Sequence, residues 1–175
     1  DVISPFAYLQ WRRLRRDHAE IALNPKPVLF AAILNHVGQL GPAEIPQKRR
    51  FSYRFVTWRA QQAGIPLRFP PAHPFNPLPA LRLALALGCR AGAIDAIFHH
   101  LWAEGRAGDS AAALAPVAAR FGIDDAERAI RTAHALMGAS KANGTTIGCG
   151  VASGRLFAGL RGSQMRCDRR LERHG

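Results

Sequence analysis

The sequence contains one candidate β-strand among a series of predicted helices, and this imbalance limits the folds open to the chain. Residues 19–29 alternate apolar and polar side chains, which is the pattern of a half-buried strand. Pro25 and Pro27 lie within it, and neither can donate a hydrogen bond to a neighbouring strand. Because a single strand cannot form a sheet, we expect further strands from residues before Asp1 and from the glycine-rich end of the chain.

Proline and glycine residues mark the boundaries of the predicted helices. Serine is a favoured N-cap and proline suits the first helical position, so Ser4 and Pro5 predict a helix that runs to about Asp17. Pro46 opens a longer helix that ends at Gly64. That helix places three aromatic residues on one face: Phe51, Phe55 and Trp58. Further helices are predicted over residues 30–37, 77–87, 91–104, 110–121 and 124–137.

Composition indicates a globular protein, since 48% of the 175 residues are hydrophobic and 21% are charged. No apolar run approaches the roughly 20 residues that span a bilayer, and no signal peptide is visible. We therefore expect a cytoplasmic protein without a membrane partner. The three cysteines form no CxxC pair and indicate unpaired thiols in a reducing compartment: Cys89, Cys149 and Cys167.

Basic residues outnumber acidic ones by 24 to 12, which gives a formal charge of +12. Such an excess is also typical of proteins that bind nucleic acid or anionic substrates. The charge is spread through several helices, and no nucleic-acid recognition motif accompanies it. We predict no specific nucleic-acid partner, and salt-dependent retention on DNA would support the alternative of a basic binding protein.

Two adjacent histidines, His99 and His100, precede Glu104, and all three side chains are of types that can bind a metal ion. The sequence has no HExxH motif and no third ligand at a useful spacing. We therefore predict no metal, with one of the two histidines facing the core and the other facing water.

Three segments carry a resemblance to a known family. The first is DVISPFAYLQW at residues 1–11, in which an acidic residue precedes Ser-Pro-aromatic. The second covers residues 38–86 and contains GPAE, IPQKR, GIPLRFP and HPFN in that order. The third is IFHHLWAEG at residues 97–105. Together they resemble the glutathione-linked, DsbA-like family of the 2-hydroxychromene-2-carboxylate isomerases and kappa-class glutathione transferases, and the second segment favours the isomerase branch.

The resemblance implies an α/β fold of the thioredoxin-like (DsbA-like) type with a large helical insertion. Residues 1–40 and 138–175 would form a discontinuous thioredoxin-like part, and residues 41–137 would form the insertion. In this chain the N-terminal strand would be truncated and the C-terminal strands would be atypical. The resemblance also implies glutathione as the cofactor and a small aromatic substrate, and it leaves a homodimer open.

The residues that the resemblance assigns to glutathione are Ser4, Pro5, Phe6, Gln39, Cys167 and Asp168. Ser4 stands where redox relatives carry their first catalytic cysteine, and we predict that it is catalytic. A hydroxyl at a helix N-terminus can donate a hydrogen bond to a thiolate, and the helix dipole and free N–H groups add to its stabilisation. The alternative is that Ser4 serves only as an N-cap.

The other cofactor assignments match the family less fully. Gln39 replaces an asparagine that touches glutathione in kappa-type relatives, and the alternative is a solvated loop residue. Cys167 and Asp168 partly match a WGxDR tail motif, in which the carboxylate pairs with the glutathione ammonium group. Asp168 could instead cap a last short helix.

The aromatic substrate is expected near two loops, and its candidate ligands are Glu44, Ile45, Lys48, His73 and Asn76. His73 could hydrogen-bond a phenol or hemiketal oxygen, or it could brace its own proline-rich loop. Lys48, or Arg49 beside it, could pair with the substrate carboxylate, or the two could lie on a solvated helix face.

The predicted function is glutathione-dependent isomerisation of 2-hydroxychromene-2-carboxylate-type substrates to trans-o-hydroxybenzylidenepyruvate, in aromatic hydrocarbon catabolism. The alternatives are a kappa-type glutathione transferase and a DsbA-family oxidoreductase-like protein, although Ser4 in place of cysteine disfavours dithiol chemistry. Residues 143–166 lack the proline of the family's glutathione-binding loop, which a displaced reading frame would explain. A catalytically impaired product of such a disrupted gene is a further alternative.

Overall fold

The computed structural model describes the backbone of residues 1–142 and the side chains of residues 1–135. In this part of the chain seven α-helices and one π-helical turn follow one another. The helices are α1 (Pro5–Asp17), α2 (Phe30–His36), α3 (Pro46–Ala63), α4 (Leu78–Ala86), α5 (Ala91–Phe98), α6 (Ala111–Ala119) and α7 (Ala126–Ala142). The π-helical turn, His99–Ala103, continues directly from α5.

The predicted strand over residues 19–29 is wrong, because these residues form neither strand nor helix. A turn follows α1, in which the Ile21 N–H group donates to the carbonyl of His18. Pro25 and Pro27 remove two of the N–H groups that a strand would need, and residues 1–142 contain no strand to pair with. The apolar residues of the segment still anchor it, since Val28 is buried and Leu23 packs against the core.

The helix boundaries follow the predicted caps closely. The Ser4 hydroxyl accepts a hydrogen bond from the Ala7 N–H group, which caps α1 as a serine N-cap should. Gly64 ends α3 with a φ of 62°, the left-handed conformation that glycine adopts without a steric penalty. The last helix is longer than predicted and continues to Ala142 rather than ending near residue 137.

The core joins α1 to the helices that follow residue 77. Trp102 of the π-helical turn and Tyr8 of α1 are the largest side chains that are fully buried. The Trp11 indole donates to Asp95 on α5, and Arg15 pairs with the same carboxylate at 3.3 Å. These contacts fix α1 against α5, and with it the N-terminus that carries Ser4.

The three aromatic residues of α3 do share one face, as predicted, but that face is exposed in the described part of the chain. Phe51, Phe55 and Trp58 are 68%, 38% and 54% exposed, and Phe55 stacks on both of its neighbours. The buried residues of α3 are Val56 and Ala60 instead. No helix of the described part has both the length and the apolar character that crossing a membrane requires.

Gly105→Ala is expected to lower the free energy of unfolding by about 2–3 kcal/mol, because alanine is strained at a positive φ and its Cβ would crowd its neighbours. A Cβ at this position would lie 2.9 Å from the Arg68 Cβ and 3.0 Å from the Phe69 carbonyl oxygen. Gly122→Ala is the matched control, because Gly122 has a similar φ (72° against 70°) but nothing within 4 Å of its Cβ position. Urea denaturation of both variants measures the difference, and equal losses would contradict a steric role for the Gly105 contact.

Candidate functional site

The N-terminus of α1 presents the Ser4 hydroxyl in a half-buried position. Its oxygen accepts from the Ala7 N–H group at 3.3 Å. The hydroxyl proton has no acceptor among the described residues, so it is available to a bound group. The cap geometry therefore leaves Ser4 able to act as a hydrogen-bond donor at the helix terminus.

Backbone groups of the first turn complete this terminus. Pro5 has no N–H group, and the N–H groups of Ala7 and Tyr8 are bonded to the Ser4 hydroxyl and carbonyl oxygens. The Phe6 N–H group has no acceptor among the groups that the structure describes. The Ser4 hydroxyl and the Phe6 amide are thus two free donors at the positive end of the helix dipole, an arrangement that suits an anion such as a thiolate.

The segment ahead of α1 is fixed by side chains from distant parts of the chain. The Trp102 indole N–H donates to the Val2 carbonyl at 2.8 Å. The His73 Nε2–H group donates to the Ile3 carbonyl at 2.9 Å. The Asp1 carboxylate accepts from the Ile3 and Phe30 amides at 3.1 and 2.7 Å. The backbone that leads into Ser4 is therefore held in place on three consecutive residues.

His73 uses both ring nitrogens inside the protein. Because its Nε2–H group donates to Ile3, its Nδ1 atom accepts from the Tyr53 hydroxyl, which lies 2.5 Å away. Burial lowers the pKa of His73, and the hydrogen bond to Ile3 opposes this shift only in part. The ring is therefore neutral near pH 7 and braces the segment before Ser4. Its predicted contact with substrate stays a prediction.

An aromatic cluster surrounds the His73 ring. The Trp102 ring lies 5.3 Å from it between centroids and the Tyr53 ring 5.4 Å, while Phe69 packs against both of these neighbours. Trp102 and Tyr53 were not predicted as site residues. The available signal was the polar atom each carries, since a buried Trp N–H or Tyr O–H group usually finds a hydrogen-bond partner.

The other predicted glutathione ligands differ in their burial and in their contacts. Pro5 is the first residue of α1 and is buried, and the partly buried Phe6 ring lies 6.1 Å from the Phe55 ring of α3. Gln39 is exposed, and its backbone N–H group donates to Leu34. The assignments to Cys167 and Asp168 lie outside the described residues.

Most predicted substrate ligands also have structural contacts. The Glu44 carboxylate accepts from the Gly41 amide at 2.6 Å, and the Asn76 side chain accepts from the Leu78 amide at 3.1 Å. Ile45 is the N-cap residue of α3, and Lys48 is exposed one turn further along that helix. The Arg49 guanidinium donates to the Ala43 carbonyl. Glu44, Ile45 and Lys48 therefore lie at the start of α3 and Asn76 at the start of α4, whereas His73 contacts the segment before Ser4.

The two adjacent histidines divide as predicted, with His100 buried and His99 exposed. The His100 Nε2 atom lies 2.9 Å from the Ala107 carbonyl, and its burial lowers its pKa. His99 pairs with Glu104 at 3.3 Å. Among residues 1–135, whose side chains are described, no three His, Cys, Asp or Glu side chains are grouped so that they could hold a metal ion.

Acidification is expected to destabilise the fold through His73. Its pKa is lower in the folded than in the unfolded chain, where it is about 6.5. As the pH falls below about 6.5, the unfolded chain therefore takes up a proton before the folded one does, and the free energy of unfolding decreases. The same sign applies to His100.

Urea denaturation at about pH 7.5 and at about pH 5.5 measures this loss of unfolding free energy in the wild type and in two variants. The two pH values lie on either side of the histidine pKa in the unfolded chain, about 6.5. His73→Gln should show a shallower decrease, while His36→Gln, a change at an exposed histidine, should decrease as the wild type does. Equal slopes for His73→Gln and the wild type would contradict the assignment.

The sequence and the fold of this chain are similar to those of known proteins. A family model described as "DSBA-like thioredoxin domain" matches residues 1–143. The curated protein "Glutathione s-transferase kappa 2" from Caenorhabditis elegans is 35% identical over 73 residues, which is 40% of this chain and 32% of that protein. The match therefore spans about a third of the relative's length.

A solved structure shares the architecture described above. It is titled "Structure of SeMet 2-hydroxychromene-2-carboxylate isomerase (HCCA isomerase)", and it aligns with a TM-score of 0.64 at 22% identity. The alignment covers 83% of this chain and 76% of that one. Together with the family match, this likeness confirms the predicted DsbA-like thioredoxin fold, although residues 1–142 contribute helices and no strand.

Proposed function

Because this chain belongs to the DSBA-like thioredoxin domain family, we propose that it is a glutathione-dependent isomerase of 2-hydroxychromene-2-carboxylate-type aromatic substrates. One observation carries the proposal: the Ser4 hydroxyl stands at the N-terminus of α1 with its proton free to donate. The likeness in fold to an isomerase and the partial match to a kappa-type transferase support the use of glutathione.

The described residues fit glutathione at its thiol end. A thiolate near Ser4 would accept hydrogen bonds from the Ser4 hydroxyl and from the Phe6 N–H group. It would also lie at the positive end of the α1 dipole. These are the conditions that lower the pKa of a thiol. At the other end of the tripeptide, Gln39 is exposed and open to a ligand, and Cys167 and Asp168 remain predicted ligands of the γ-glutamyl group.

Bound glutathione would supply a thiolate that adds reversibly to a conjugated carbon of the substrate, so that the former double bond can rotate before elimination. Ser4 contributes by favouring the ionised sulfur over the thiol. The hydrogen bonds from His73 and Trp102 keep Ser4 in position through the two residues before it. Because this segment is held in place, the hydrogen-bond donors of the site are already oriented when the sulfur becomes charged.

For the substrate, we propose that its carboxylate pairs with Lys48. This ammonium group is exposed and has no ion-pair partner among the described residues. Glu44 and Asn76 bond to their own loops and would shape the site, with Ile45 offering apolar contact. A cytoplasmic role in the catabolism of aromatic hydrocarbons is the setting that this activity predicts.

A kappa-type glutathione transferase is the second candidate, which the 35% identity over 73 residues to a curated transferase favours. The same Ser4 and Phe6 donors would serve this reaction, because a transferase also needs an ionised glutathione sulfur. The two candidates differ in what the sulfur attacks and in whether it is released again.

The deciding experiment offers the full chain two substrates with and without glutathione. We expect glutathione-dependent conversion of 2-hydroxychromene-2-carboxylate, followed by absorbance, and little thioether formation with chlorodinitrobenzene. The reverse pattern would identify the transferase. Isomerisation at the same rate without glutathione would contradict the proposal.

A further inference from the structure

A cleft is lined by α1, by the loop that follows α3, and by the π-helical turn with the residues directly after it. Its volume is about 380 Å³, inside the range of roughly 300–1,000 Å³ that holds small ligands. Three arginines line it together with three other polar residues: Arg12, Arg68 and Arg106, with Tyr8, His99 and Glu104. Ser4 does not line it, so this cleft is separate from the proposed glutathione site.

Positive charge dominates this cleft. Arginine stays protonated at any physiological pH, so three guanidinium groups face one carboxylate. Arg106 pairs with Glu104 at 2.8 Å, and Glu104 also reaches His99 at 3.3 Å. Arg12 and Arg68 have no acidic partner among the described residues. The cleft therefore has two guanidinium groups whose charge is not balanced by a neighbouring carboxylate.

Backbone hydrogen bonds fix the main chain at two of these arginines, Arg68 and Arg106. The Arg68 amide donates to the Trp102 carbonyl at 2.7 Å, and the Arg106 amide donates to the His100 carbonyl at 3.0 Å. Gly105 lies against this contact, where a Cβ would meet the Arg68 side chain at 2.9 Å. The Tyr8 hydroxyl donates to the Pro66 carbonyl at 2.7 Å and links α1 to the same wall.

The π-helical turn places Glu104 and Arg106 at the cleft. In this turn the Glu104 amide bonds to the His99 carbonyl five residues back, instead of four as in an α-helix. Such turns are rare and occur frequently at functional sites, because the extra residue redirects the side chains that follow.

We propose that this cleft binds a compact dianion, either a phosphomonoester or a dicarboxylate. Guanidinium groups recognise phosphate and carboxylate oxygens through paired, charge-assisted hydrogen bonds. Arg12 and Arg68 bind the anion, and Arg106 bonds both to the anion and to Glu104. The single carboxylate limits affinity, because it competes with the ligand for Arg106.

Calorimetric titration of the full chain with inorganic phosphate and with succinate at low ionic strength tests this proposal. Saturable binding is expected for the wild type. Arg68→Gln should weaken it by about 5-fold or more, since one charge-assisted contact is lost, and Arg12→Gln should do so independently. Glu104→Gln should strengthen binding by freeing Arg106. Arg120→Gln, a change at an exposed arginine after α6, is the matched control and should leave binding unchanged.

The two probes distinguish the sources of the anion. Preference for phosphate supports a phosphomonoester, preference for succinate supports a dicarboxylate, and equal binding supports the general dianion site. Circular dichroism checks that each variant is folded. The proposal is overturned if neither probe binds saturably up to about 10 mM, which corresponds to a binding free energy weaker than about 3 kcal/mol. It is also overturned if Arg68→Gln and Arg12→Gln bind the probes as tightly as Arg120→Gln does.

Discussion

Ser4→Ala is expected to reduce glutathione-dependent turnover by about 10- to 100-fold in kcat/KM. The variant loses one hydrogen bond to a charged sulfur, and such a bond contributes about 1.5–3 kcal/mol. The Phe6 amide and the helix dipole remain, so part of the activity should persist. The measurement is the rate of isomerisation at saturating and at limiting glutathione. An unchanged rate would show that Ser4 is only a helix cap.

The chain provides a matched control for this variant at another helix N-terminus. Ser110 caps α6 by accepting from the Ala113 amide at 3.2 Å, much as Ser4 accepts from Ala7 at 3.3 Å. Each alanine variant should therefore lose about 1 kcal/mol of unfolding free energy. Only Ser4→Ala should lose turnover, and Ser4→Thr, which keeps the hydroxyl, should restore most of it.

Trp102→Phe is expected to lower the free energy of unfolding by about 2–4 kcal/mol, through a cavity and an unpaired carbonyl. Trp102 is fully buried, and its indole N–H is the donor to the Val2 carbonyl. Phenylalanine lacks that donor and leaves part of the volume empty. Urea denaturation gives the magnitude. Trp58→Phe, at a residue 54% exposed, should change stability by less than about 0.5 kcal/mol.

The same variant separates a positioning role from a purely structural one. Val2 lies two residues before Ser4, so loss of its hydrogen bond should loosen the segment that carries the hydroxyl. We expect Trp102→Phe to reduce the thiolate absorbance of bound glutathione even when binding is saturated. Lower stability with a full thiolate signal would show that Trp102 supports the core without positioning Ser4.

Helix boundaries were predictable from the sequence because their signals are local. Ser4 with Pro5 at one end of α1, and Gly64 at the end of α3, each satisfy backbone requirements within a few residues. The strand over residues 19–29 was predicted wrongly because a strand depends on a partner elsewhere in the chain. Alternation of apolar side chains shows that a segment is half buried, and Val28 is buried, but it does not supply the missing hydrogen bonds.

Ser4 could be identified as a site candidate because DVISPFAYLQW resembles the start of a known family, whereas serine and proline at a helix start are by themselves typical of a plain N-cap. The hydrogen bonds that hold it could not be predicted, since Trp102 and His73 lie about 100 and 70 residues away from the carbonyls they reach. The exposed face of α3 shows a related limit. Spacing placed Phe51, Phe55 and Trp58 together, but periodicity alone does not say which face of a helix is buried.

The central claim is that Ser4 holds the sulfur of bound glutathione in its ionised form. Ultraviolet absorbance of the thiolate, followed through a pH titration of glutathione bound to the protein, measures this ionisation directly. Wild-type protein is predicted to lower the pKa of the glutathione thiol below that of a free thiol, about 8.5, and Ser4→Ala is predicted to return it most of the way while Ser110→Ala does not. The same thiol pKa in the wild type and in Ser4→Ala, with glutathione bound to both, would contradict the account.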